Sequence, residues 1–458
     1  MTQAAKSSIR GLPHKARIAA LADDGVVAVL GGSRPSPHLG RFSIVPHDDD
    51  GVVVARIAIG GHPILVAAQD ERFLRGSVGE SHGKALTALF ERAIAERPAA
   101  AVLLLASGGV RLHEANAAEL ALARALAASL DARAAGIPIA ALAVGDVFGG
   151  ASVLACAAST LALLPGTRIG VSGPKVLASM PGTPPAHAAR SNEREAIFSA
   201  EARVAAGHAI LLTDAAQDIR SWVRTAISAP RTFADEVAAE HDRLASSDVA
   251  AVPVPSNASV LSLFPGAIPL SADGWLWRSG DVTIARPVGA GSCGVDFLRG
   301  MDDALRGFVD GNAGTRSTVL VVIEDSAGHE VSRAAESRFL SRYLAHHAAL
   351  LALARARGHR VIGVLAGTGH SAAFFANALQ GAPLFALPDA RVVAMEAHAI
   401  ARVTGLDVAA LVRDDPLLGQ PVRHFAAQGG VDAIVESAAL PAAIAAATSK
   451  CSGRSAAH

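Results

Sequence analysis

Two adjacent glycines, Gly149 and Gly150, mark the stretch of this chain where backbone groups are best placed to do chemistry. The apolar run at 137–144 precedes them and predicts a strand buried on both faces, and the small apolar residues at 151–158 predict a helix. A strand that turns through glycines into a helix leaves backbone N–H groups without intrahelical acceptors. Such groups can hold an anion, or an oxygen that becomes anionic during a reaction. The alternative interpretation is a turn in which glycine serves only close strand–helix packing.

The same pattern occurs a second time, which makes an accidental turn a poor explanation. Residues 354–367 repeat the pattern of residues 132–145. Residues 368–374, TGHSAAF, then stand where residues 146–152, DVFGGAS, stand in the first copy. The alignment predicts that this register continues without a gap to residue 394. One supersecondary unit present twice predicts two domains of the same fold.

Two side chains beside these turns suit acid–base or carboxylate chemistry. Arg111 follows the pair Gly108 and Gly109, and a guanidinium there can bind a carboxylate; the alternative is an ion pair within the protein. His370 stands at the start of the second helix, where an imidazole can protonate an enolate; the alternative is a capping or solvent-facing histidine. Weaker candidates of the same type are His82, His113 and His329.

Hydroxyl and carboxyl groups near the turns are further candidates. Ser77 and Glu80 lie in the segment GSVGE, which suits a site but also an ordinary turn and helix cap with an acidic first turn. Ser371 lies at the second turn. We interpret it as a helix N-cap rather than a nucleophile, because no His and Asp partners can be placed beside it.

Strand-like and helix-like segments alternate along the chain, which predicts an α/β fold with crossover connections. The predicted elements of the first half are a hairpin at 51–68, a helix at 84–97, a strand near Val102, a helix at 114–135 and a helix-rich region at about 186–226. Four prolines between residues 246 and 273 predict a linker there. Residues 275–310 show no pattern that assigns them.

The composition excludes several classes of protein. Hydrophobic residues make up 51% of the 458, charged residues 18%, and the net charge is zero, so nothing favours a nucleic acid or a membrane surface as partner. The apolar runs fall short of the roughly 18 residues of a membrane span, and the polar start lacks the apolar core of a signal peptide. Three distant cysteines predict neither a disulfide framework nor a zinc ribbon. We therefore expect a cytoplasmic protein.

Short motifs in both halves resemble those of a known family. In the first half they are SPHL at 36–39, DDDGVVVAR at 48–56, GSVGE at 76–80, SGGVRLHEAN at 107–116 and IGVSGP at 169–174. As a set these motifs resemble the beta subunit of the biotin-independent malonate decarboxylases, in the carboxyltransferase branch of the crotonase superfamily. Residues 358–363, 370–374 and 390–395 resemble the gamma subunit. The chain is therefore identified as a member of this family, with beta and gamma subunits fused.

The resemblance implies a fold, a reaction and partners. It implies two tandem α/β domains of the ClpP/crotonase type: a beta-like domain at 1–245, a linker at 246–273 and a gamma-like domain at 274–458. The implied reaction removes CO₂ from a malonyl thioester, and the enolate so formed is protonated to an acetyl thioester. The thioester is carried on the CoA-like arm of an acyl carrier protein subunit, supplied by an acyltransferase subunit. The chain is expected to form a homo-oligomer and to bind no metal, biotin or NAD itself.

The resemblance also implies which residues act. The first oxyanion hole uses backbone around Gly149 and Gly150, helped by Gly108 or Gly109. The second uses backbone around Ala372 and Ala373, with His370 beside it, and the two turns are expected to face one cleft. The residues expected to contact the substrate are the two glycines 108 and 109, Ser77, Arg111 and Ser371.

One departure from the family pattern leaves alternatives open. The gamma pattern Ser-Gly-Ala is here Ser371-Ala372-Ala373, and the added methyl narrows the approach to the backbone. A non-catalytic scaffold of the same fold is therefore retained as an alternative. A biotin-dependent acyl-CoA carboxyltransferase, which has a related fold, is retained as well. Residues 367–372 also fit the dinucleotide fingerprint G-x-G-x-x-A. Because the first copy lacks that fingerprint, NAD binding is the weakest of these interpretations.

Overall fold

The computed structural model describes residues 8–31, 33–178, 196–228, 232–245, 263–270, 274–285, 291–311 and 319–449. Most of the predicted linker, and the start of the helix-rich region at 186–226, therefore lie outside the described residues. The chain forms two compact units, the first comprising residues 1–114, 124–236 and 331–345, and the second residues 115–123, 237–330 and 346–458. Each unit takes in a short segment from the other half of the sequence, which a division at the linker does not foresee.

The first unit is built on one sheet. Its strands, numbered along the chain, are β1 (Ala28–Val29), β2 (Val52–Ile59), β3 (His62–Gln69), β4 (Ala100–Ser107), β5 (Ile139–Phe148), β6 (Thr160–Leu163), β7 (Ile169–Gly170) and β8 (Ile210–Leu211). They lie in the order β1-β2-β3-β4-β5-β6-β8, and β7 pairs with the end of β5. Every residue of β4 is buried, as expected for a parallel strand covered on both faces.

The helices of the first half agree with the pattern of the sequence. They are α1 (His14–Leu21), α2 (Glu80–Glu96), α3 (Ala115–Ala134), α4 (Gly150–Cys156), α5 (Pro174–Ala178), α6 (Ala200–Ala205), α7 (Ala216–Ser228) and α8 (Phe233–Ala245). Single 3₁₀ turns lie at Leu39–Phe42 and Leu74–Gly76. The predicted hairpin, the strand near Val102 and the long helix at 114–135 are confirmed. Helix α2 begins four residues earlier than predicted, directly after Gly79.

The second half carries a second sheet. Its strands are β9 (Ile268–Pro269), β10 (Leu276–Ser279), β11 (Val282–Ala285), β12 (Val319–Glu324), β13 (Arg360–Leu365), β14 (Thr368–His370), β15 (Leu384–Ala386), β16 (Arg391–Val393) and β17 (Ala433–Ile434). Their order is β17-β15-β13-β12-β11-β10-β9, with β14 and β16 paired separately. The helices are α9 (Val295–Gly311), α10 (Arg333–Ser337), α11 (Leu340–Ala356), α12 (Ser371–Ala376), α13 (Ala397–Thr404), α14 (Val408–Arg413), α15 (Val422–Ala427) and α16 (Leu440–Ser449).

The segment at 275–310 is the start of the second copy. Strands β10 and β11 form an antiparallel hairpin, β11 runs parallel to β12, and the 17-residue helix α9 lies between them in sequence. The first unit has the same arrangement, with the hairpin β2–β3, the parallel pair β3–β4 and the 17-residue helix α2. The duplication therefore extends further towards the N-terminus than the sequence pattern indicated.

The register of the repeat shifts by one residue, so the predicted gap-free alignment is wrong. At the end of β5, Val147 pairs with Ile169. The equivalent Gly369 pairs with Val392, one residue further along than an unbroken alignment allows. A 3₁₀ turn at Ala378–Gln380 follows α12 and accommodates the extra residue.

Each unit has its own hydrophobic core. In the first, buried side chains of the central strands, such as Leu104 and Leu142, pack with Ile219 and Trp222 of α7. In the second, Val321 and the other central-strand residues pack with Leu440 and Ile444 of α16. Within the described ranges, no helix is both long and apolar enough to cross a membrane.

A buried histidine ties α1 to the first sheet. Nε2 of His14 lies 3.0 Å from Oδ2 of Asp49, and its Nδ1 lies 3.3 Å from Oδ2 of Asp70. Burial alone would raise the pKa of each carboxyl. At Asp49, the hydrogen bond and charge of His14 lower the pKa by more than burial raises it. At Asp70, the hydrogen bonds from Arg72 and the charge of His14 have the same effect. Both pKa values therefore lie below their usual range.

These depressed pKa values predict acid-sensitive stability. Because both are lower in the folded chain, their contribution is fully present above an unfolded value of about 3.9 and is lost as pH falls through the folded values. His14→Ala is expected to lower the free energy of unfolding at pH 7 by about 1–3 kcal/mol. The difference from wild type should shrink below about pH 4. Urea unfolding at pH 7 and at pH 3.5 measures it, and a deficit of the same size at both values would contradict the assignment.

Candidate active site

The first turn is tighter than the sequence predicts. Strand β5 does not end at Val144 but continues to Phe148, because Val147 and Phe148 pair with β7. The turn is therefore reduced to one residue, Gly149, before α4 begins at Gly150. Gly149 has φ +62° and ψ −147°, a region that is essentially restricted to glycine.

A second glycine lies directly against this turn. Gly109 follows β4 with φ +98°. A Cβ placed on Gly149 would lie 3.0 Å from the Cα of Gly109, and one placed on Gly109 would lie 3.3 Å from the Cα of Gly149. The structure therefore brings the loop after β4 against the first turn, backbone against backbone, and a Cβ at either position would be closer to its neighbour than Cβ contacts normally are.

The two glycines of the first turn have different roles. The N–H of Gly149 donates to the carbonyls of Gly170 and Val171, both at 3.1 Å. The amide of Gly149 is thus already hydrogen-bonded within the protein. A glycine is needed at this position because of the backbone conformation of the turn. The N–H of Gly150, in the first turn of α4, has no acceptor among the described residues. Of the predicted pair, Gly150 is the one that can donate to a ligand.

The loop after β4 also contains both bonded amides and an amide without an acceptor among the described residues. The N–H of Gly108 donates to the carbonyl of Arg75 at 2.9 Å, and the N–H of Gly109 donates to Oγ of Ser107 at 3.2 Å. Both predicted amides are therefore engaged. The next amide, that of Val110, has no acceptor in the described part of the chain. Val110 is a residue that sequence reasoning missed, and the positive φ of the glycine before it could not be seen in the sequence.

Arg111 is part of a buried ion cluster. It is 1% exposed, and its Nη1 donates to Oδ1 of Asp50 at 2.5 Å and to Oε1 of Glu114 at 2.8 Å. Its Nη2 donates to the carbonyl of Ser77 at 3.0 Å. Burial raises the pKa of Asp50 to about 6 against the opposing charge of Arg111. This geometry fits the interpretation as an internal ion pair and leaves the guanidinium no room to meet a substrate carboxylate.

The segment GSVGE forms a turn and a helix start. Oγ of Ser77 donates to the carbonyl of Leu74 at 2.8 Å. Glu80 opens α2, and its hydrogen bond with His38 lowers the pKa of this carboxyl to about 2. His82 is fully buried, and burial lowers its pKa to about 3. The N-cap of α2 is Gly79, which has no side chain, so the structure shows the turn and the acidic first turn of this interpretation but not a cap by the side chain of the N-cap residue.

The second turn has a serine with a positive φ where the first turn has a glycine with a positive φ. Ser371, the counterpart of Gly149, follows β14 with φ +52°. The N-cap of α12 is His370, and no side chain caps the helix, so the prediction of Ser371 as N-cap is wrong. An N-cap residue needs an extended backbone, whereas Ser371 is left-handed. Ala372 and Ala373 are buried, and the amide of Ala372 has no acceptor within the described ranges.

The loop beside the second turn repeats the hydrogen bonds of the first. Gly328, with φ +94°, donates its N–H to Oγ of Ser326 at 3.2 Å, as Gly109 does to its own serine. A Cβ on Gly328 would lie 3.0 Å from the ring of His370. Gly328 is not among the residues predicted for the site, although Ser-x-Gly occurs at the end of a buried strand in both copies.

His370 is held in a defined tautomer. Its Nδ1 lies 2.8 Å from the carbonyl of Ala327, which can only accept, so Nδ1 carries the proton. Nε2 points towards the carboxylate of Glu396 at 3.9 Å. Burial, helped by the charge of Arg391, lowers the pKa of His370. The imidazole is therefore neutral at pH 7 and must take up a proton at Nε2 before it can act as an acid.

Of the weaker histidine candidates, His113 packs against an aromatic ring and His329 is partly buried. His113 packs edge-on against Phe42, with ring centroids 5.3 Å apart. Burial and the charge of His370 lower the pKa of His329 to about 4. Across the part of the chain that the structure describes, no three His, Cys, Asp or Glu side chains are grouped so that they could hold a metal ion.

Two family models match the two halves of the chain. The model described as carboxyl transferase domain matches residues 40–228, and the model described as malonate decarboxylase gamma subunit matches residues 296–456. The motif resemblance of both halves is thereby confirmed, as is the expectation of two α/β domains of carboxyltransferase type. The first match includes the loop after β4 and the first turn, and the second match includes the second turn.

Individual relatives are similar over part of the chain. Malonyl-S-ACP:biotin-protein carboxyltransferase of Malonomonas rubra is 35% identical over 158 residues, which cover 31% of this chain and 49% of that protein. The carboxyl transferase subunit beta of acetyl-coenzyme A carboxylase from Fusobacterium nucleatum is 33% identical over 28% of this chain and 42% of its own length. A crystal structure of a Pseudomonas malonate decarboxylase hetero-tetramer with malonate is 32% identical, covering 54% of this chain and 94% of that chain with a TM-score of 0.47.

The chain spans about half, or less, of the length of the first curated relatives that it matches. Each family match covers part of one half of this chain and includes one of its two turns. One polypeptide thus carries a match to the carboxyl transferase domain at residues 40–228 and a match to the malonate decarboxylase gamma subunit at residues 296–456.

Proposed function

We propose that this chain decarboxylates a malonyl thioester. The observation that carries the proposal is the contact between Gly109 and Gly149, beside which the amides of Val110 and Gly150 have no acceptor among the described residues. Two amides held by a rigid backbone can both donate to one thioester oxygen. Each such donor contributes roughly 3 kcal/mol to a transition state that places negative charge on that oxygen.

The proposed reaction has two steps. The C–C bond to the carboxylate breaks, its electron pair moves onto the thioester as an enolate, and CO₂ leaves. A proton then adds to the α-carbon, which gives the acetyl thioester. For a thioester bound at the second turn, where the amide of Ala372 has no acceptor among the described residues, we assign this proton to Nε2 of His370, because Nδ1 already donates to a backbone carbonyl.

The carrier and the partner subunits are part of the same proposal. We propose that the thioester is presented on the prosthetic arm of an acyl carrier protein, loaded by a separate acyltransferase subunit, and that the chain acts as a homo-oligomer in the cytoplasm. The printed name of the Malonomonas rubra relative includes an S-ACP thioester, which supports a carrier of this type.

A second candidate function is carboxyl transfer to biotin. In that reaction the CO₂ released from the malonyl thioester is captured by a biotinylated partner instead of diffusing away. The relative named as a biotin-protein carboxyltransferase, and the match to the carboxyl transferase domain, favour keeping this candidate. Both reactions pass through the same enolate, so the same amides serve both.

One experiment separates the two candidates. The purified chain is incubated with malonyl-CoA as a carrier-free probe, and acetyl-CoA and CO₂ are measured with and without avidin and free biotin. Decarboxylation predicts acetyl-CoA in the absence of biotin and no effect of avidin. Acetyl-CoA that appears only with biotin would favour the transferase. Absence of product with malonyl-CoA and with malonyl-loaded acyl carrier protein would refute both.

The assignment of His370 makes a separate prediction. As an acid it must be protonated, and its lowered pKa means that turnover falls as pH rises above that value. His370→Gln is expected to lower kcat about 10²-fold, the lower end for general acid catalysis, and to abolish this alkaline limb. The control is His398→Gln on helix α13. A pH–rate profile that keeps its alkaline limb in His370→Gln would show that another group donates the proton.

A further inference from the structure

A buried carboxylate from a distant part of the sequence faces the backbone next to the first turn. Glu336 lies in α10, within the segment 331–345 that belongs to the first compact unit, and it is fully buried. Its Oε1 accepts the N–H of Ser172 at 2.5 Å, and its Oε2 accepts the N–H of Val171 at 3.3 Å. One carboxylate thus fixes two successive amides of the segment IGVSGP.

The same segment holds Gly149 in place. The carbonyls of Gly170 and Val171 accept the N–H of Gly149, both at 3.1 Å. The peptide units at 170–172 are therefore bonded on one side to Glu336 and on the other to the first turn. Gly170 makes this possible, since a Cβ there would lie 2.7 Å from Oε2 of Glu336.

The pKa of Glu336 is raised by burial, and neighbouring groups oppose part of that effect. Burial raises the pKa of Glu336, but the hydrogen bonds from Ser172 and the charge of Arg203 act in the opposite direction. Arg203 is itself fully buried, donates to the carbonyl of Ile169 at 3.1 Å and lies 4.6 Å over the ring of Phe339. Arg203 thus bonds to strand β7, directly before the segment that Glu336 holds.

We propose that Glu336 is a positioning residue for the proposed decarboxylation, because its carboxylate fixes the segment 170–172 and thereby the backbone of Gly149 and the donor amide of Gly150. This inference rests on the proposed function of the first turn. Glu336 does not meet the substrate. Loss of this carboxylate is expected to misalign the donor amides. Because those amides stabilise the transition state, kcat should fall while binding of the thioester is unchanged.

The kinetic test compares Glu336→Gln and Glu336→Ala with wild type on malonyl-CoA. Gln retains one acceptor oxygen and Ala none, so kcat is expected to fall about tenfold in Glu336→Gln and about 10²-fold in Glu336→Ala, with KM within about twofold. The matched control is Asp23→Asn, which alters an exposed carboxylate that accepts the N–H groups of Gly60 and Gly61 at 2.9 Å. Wild-type kcat in Glu336→Ala, or a rise in KM alone, would overturn the proposal.

A second measurement does not depend on activity. Amide hydrogen exchange is expected to become faster in Glu336→Gln at residues 147–152 and 169–173 and to stay unchanged in the hairpin at 52–69. Unchanged exchange at 147–152 would overturn the proposal. If wild type proves inactive on every malonyl thioester, the proposed function fails, and local loss of protection around Gly149 would still establish Glu336 as the residue that positions this turn.

Discussion

Gly149→Ala is expected to lower turnover of a malonyl thioester at least about 10²-fold. The added Cβ would lie 3.0 Å from the Cα of Gly109, closer than real Cβ contacts normally come, so the two turns must separate. Separation moves the amides of Val110 and Gly150 away from a common oxygen. Loss of one such donor already costs about 10²–10³ in kcat. The measurement is steady-state acetyl-CoA formation, with thermal melting of the same sample.

Gly136→Ala is the matched control for this substitution. Gly136 also has a positive φ, +84°, but a Cβ there would meet no atom within 4 Å. Both variants therefore place an alanine at a positive φ, which is strained in either case, and only Gly149→Ala also disturbs the contact with Gly109. A folded Gly149→Ala protein with near-normal turnover would show that the turn serves packing alone.

Arg111→Met is expected to lower the free energy of unfolding by about 3–5 kcal/mol. Methionine keeps much of the volume but leaves the carboxylates of Asp50 and Glu114 buried without their partner, and breaking a buried ion pair from one side costs this much. Urea unfolding at pH 7 measures the loss. The control is Arg92→Met, which breaks an exposed ion pair with Glu96 and should cost about 0.5 kcal/mol or less.

The outcome for Arg111 also decides between its two interpretations. A structural ion pair predicts a large loss of stability in Arg111→Met. The fraction of the variant that remains folded should then have the KM of wild type for malonyl thioesters. A substrate-binding arginine predicts nearly normal stability and a higher KM for malonyl thioesters. The second result would contradict the buried cluster seen here and restore the expectation drawn from the sequence.

The fold could be predicted where local patterns are long. Strands such as Ala100–Ser107 are continuous apolar runs, and the duplicated βα unit is visible as a repeat in the sequence. The second hairpin could not be recognised, because its strands β10 and β11 have only four residues each and include Arg278 and Thr283. Pairing with a neighbouring strand, rather than local propensity, makes such short segments strands.

The candidate site could be predicted only as a location. The glycine pairs at 108–109 and 149–150 are indeed adjacent, but the sequence does not show which amides are already bonded. The acceptors of Gly108 and Gly149 are carbonyls of Arg75 and of Gly170 with Val171, brought there by the tertiary fold. Arg111 illustrates the same limit, since its partner Asp50 lies 61 residues away in the sequence.

The segment at 331–345 has a consequence for synthesis of the chain. The rest of the first unit has been synthesised once residue 236 has been added, but its last segment is completed about 110 residues later. At 5–20 residues per second this delay is roughly 5–20 s. During that interval the amides of Val171 and Ser172 have no carboxylate to bind, and the buried guanidinium of Arg203 lacks the counter-charge of Glu336. The nascent first unit therefore completes its fold only after much of the second half has been translated.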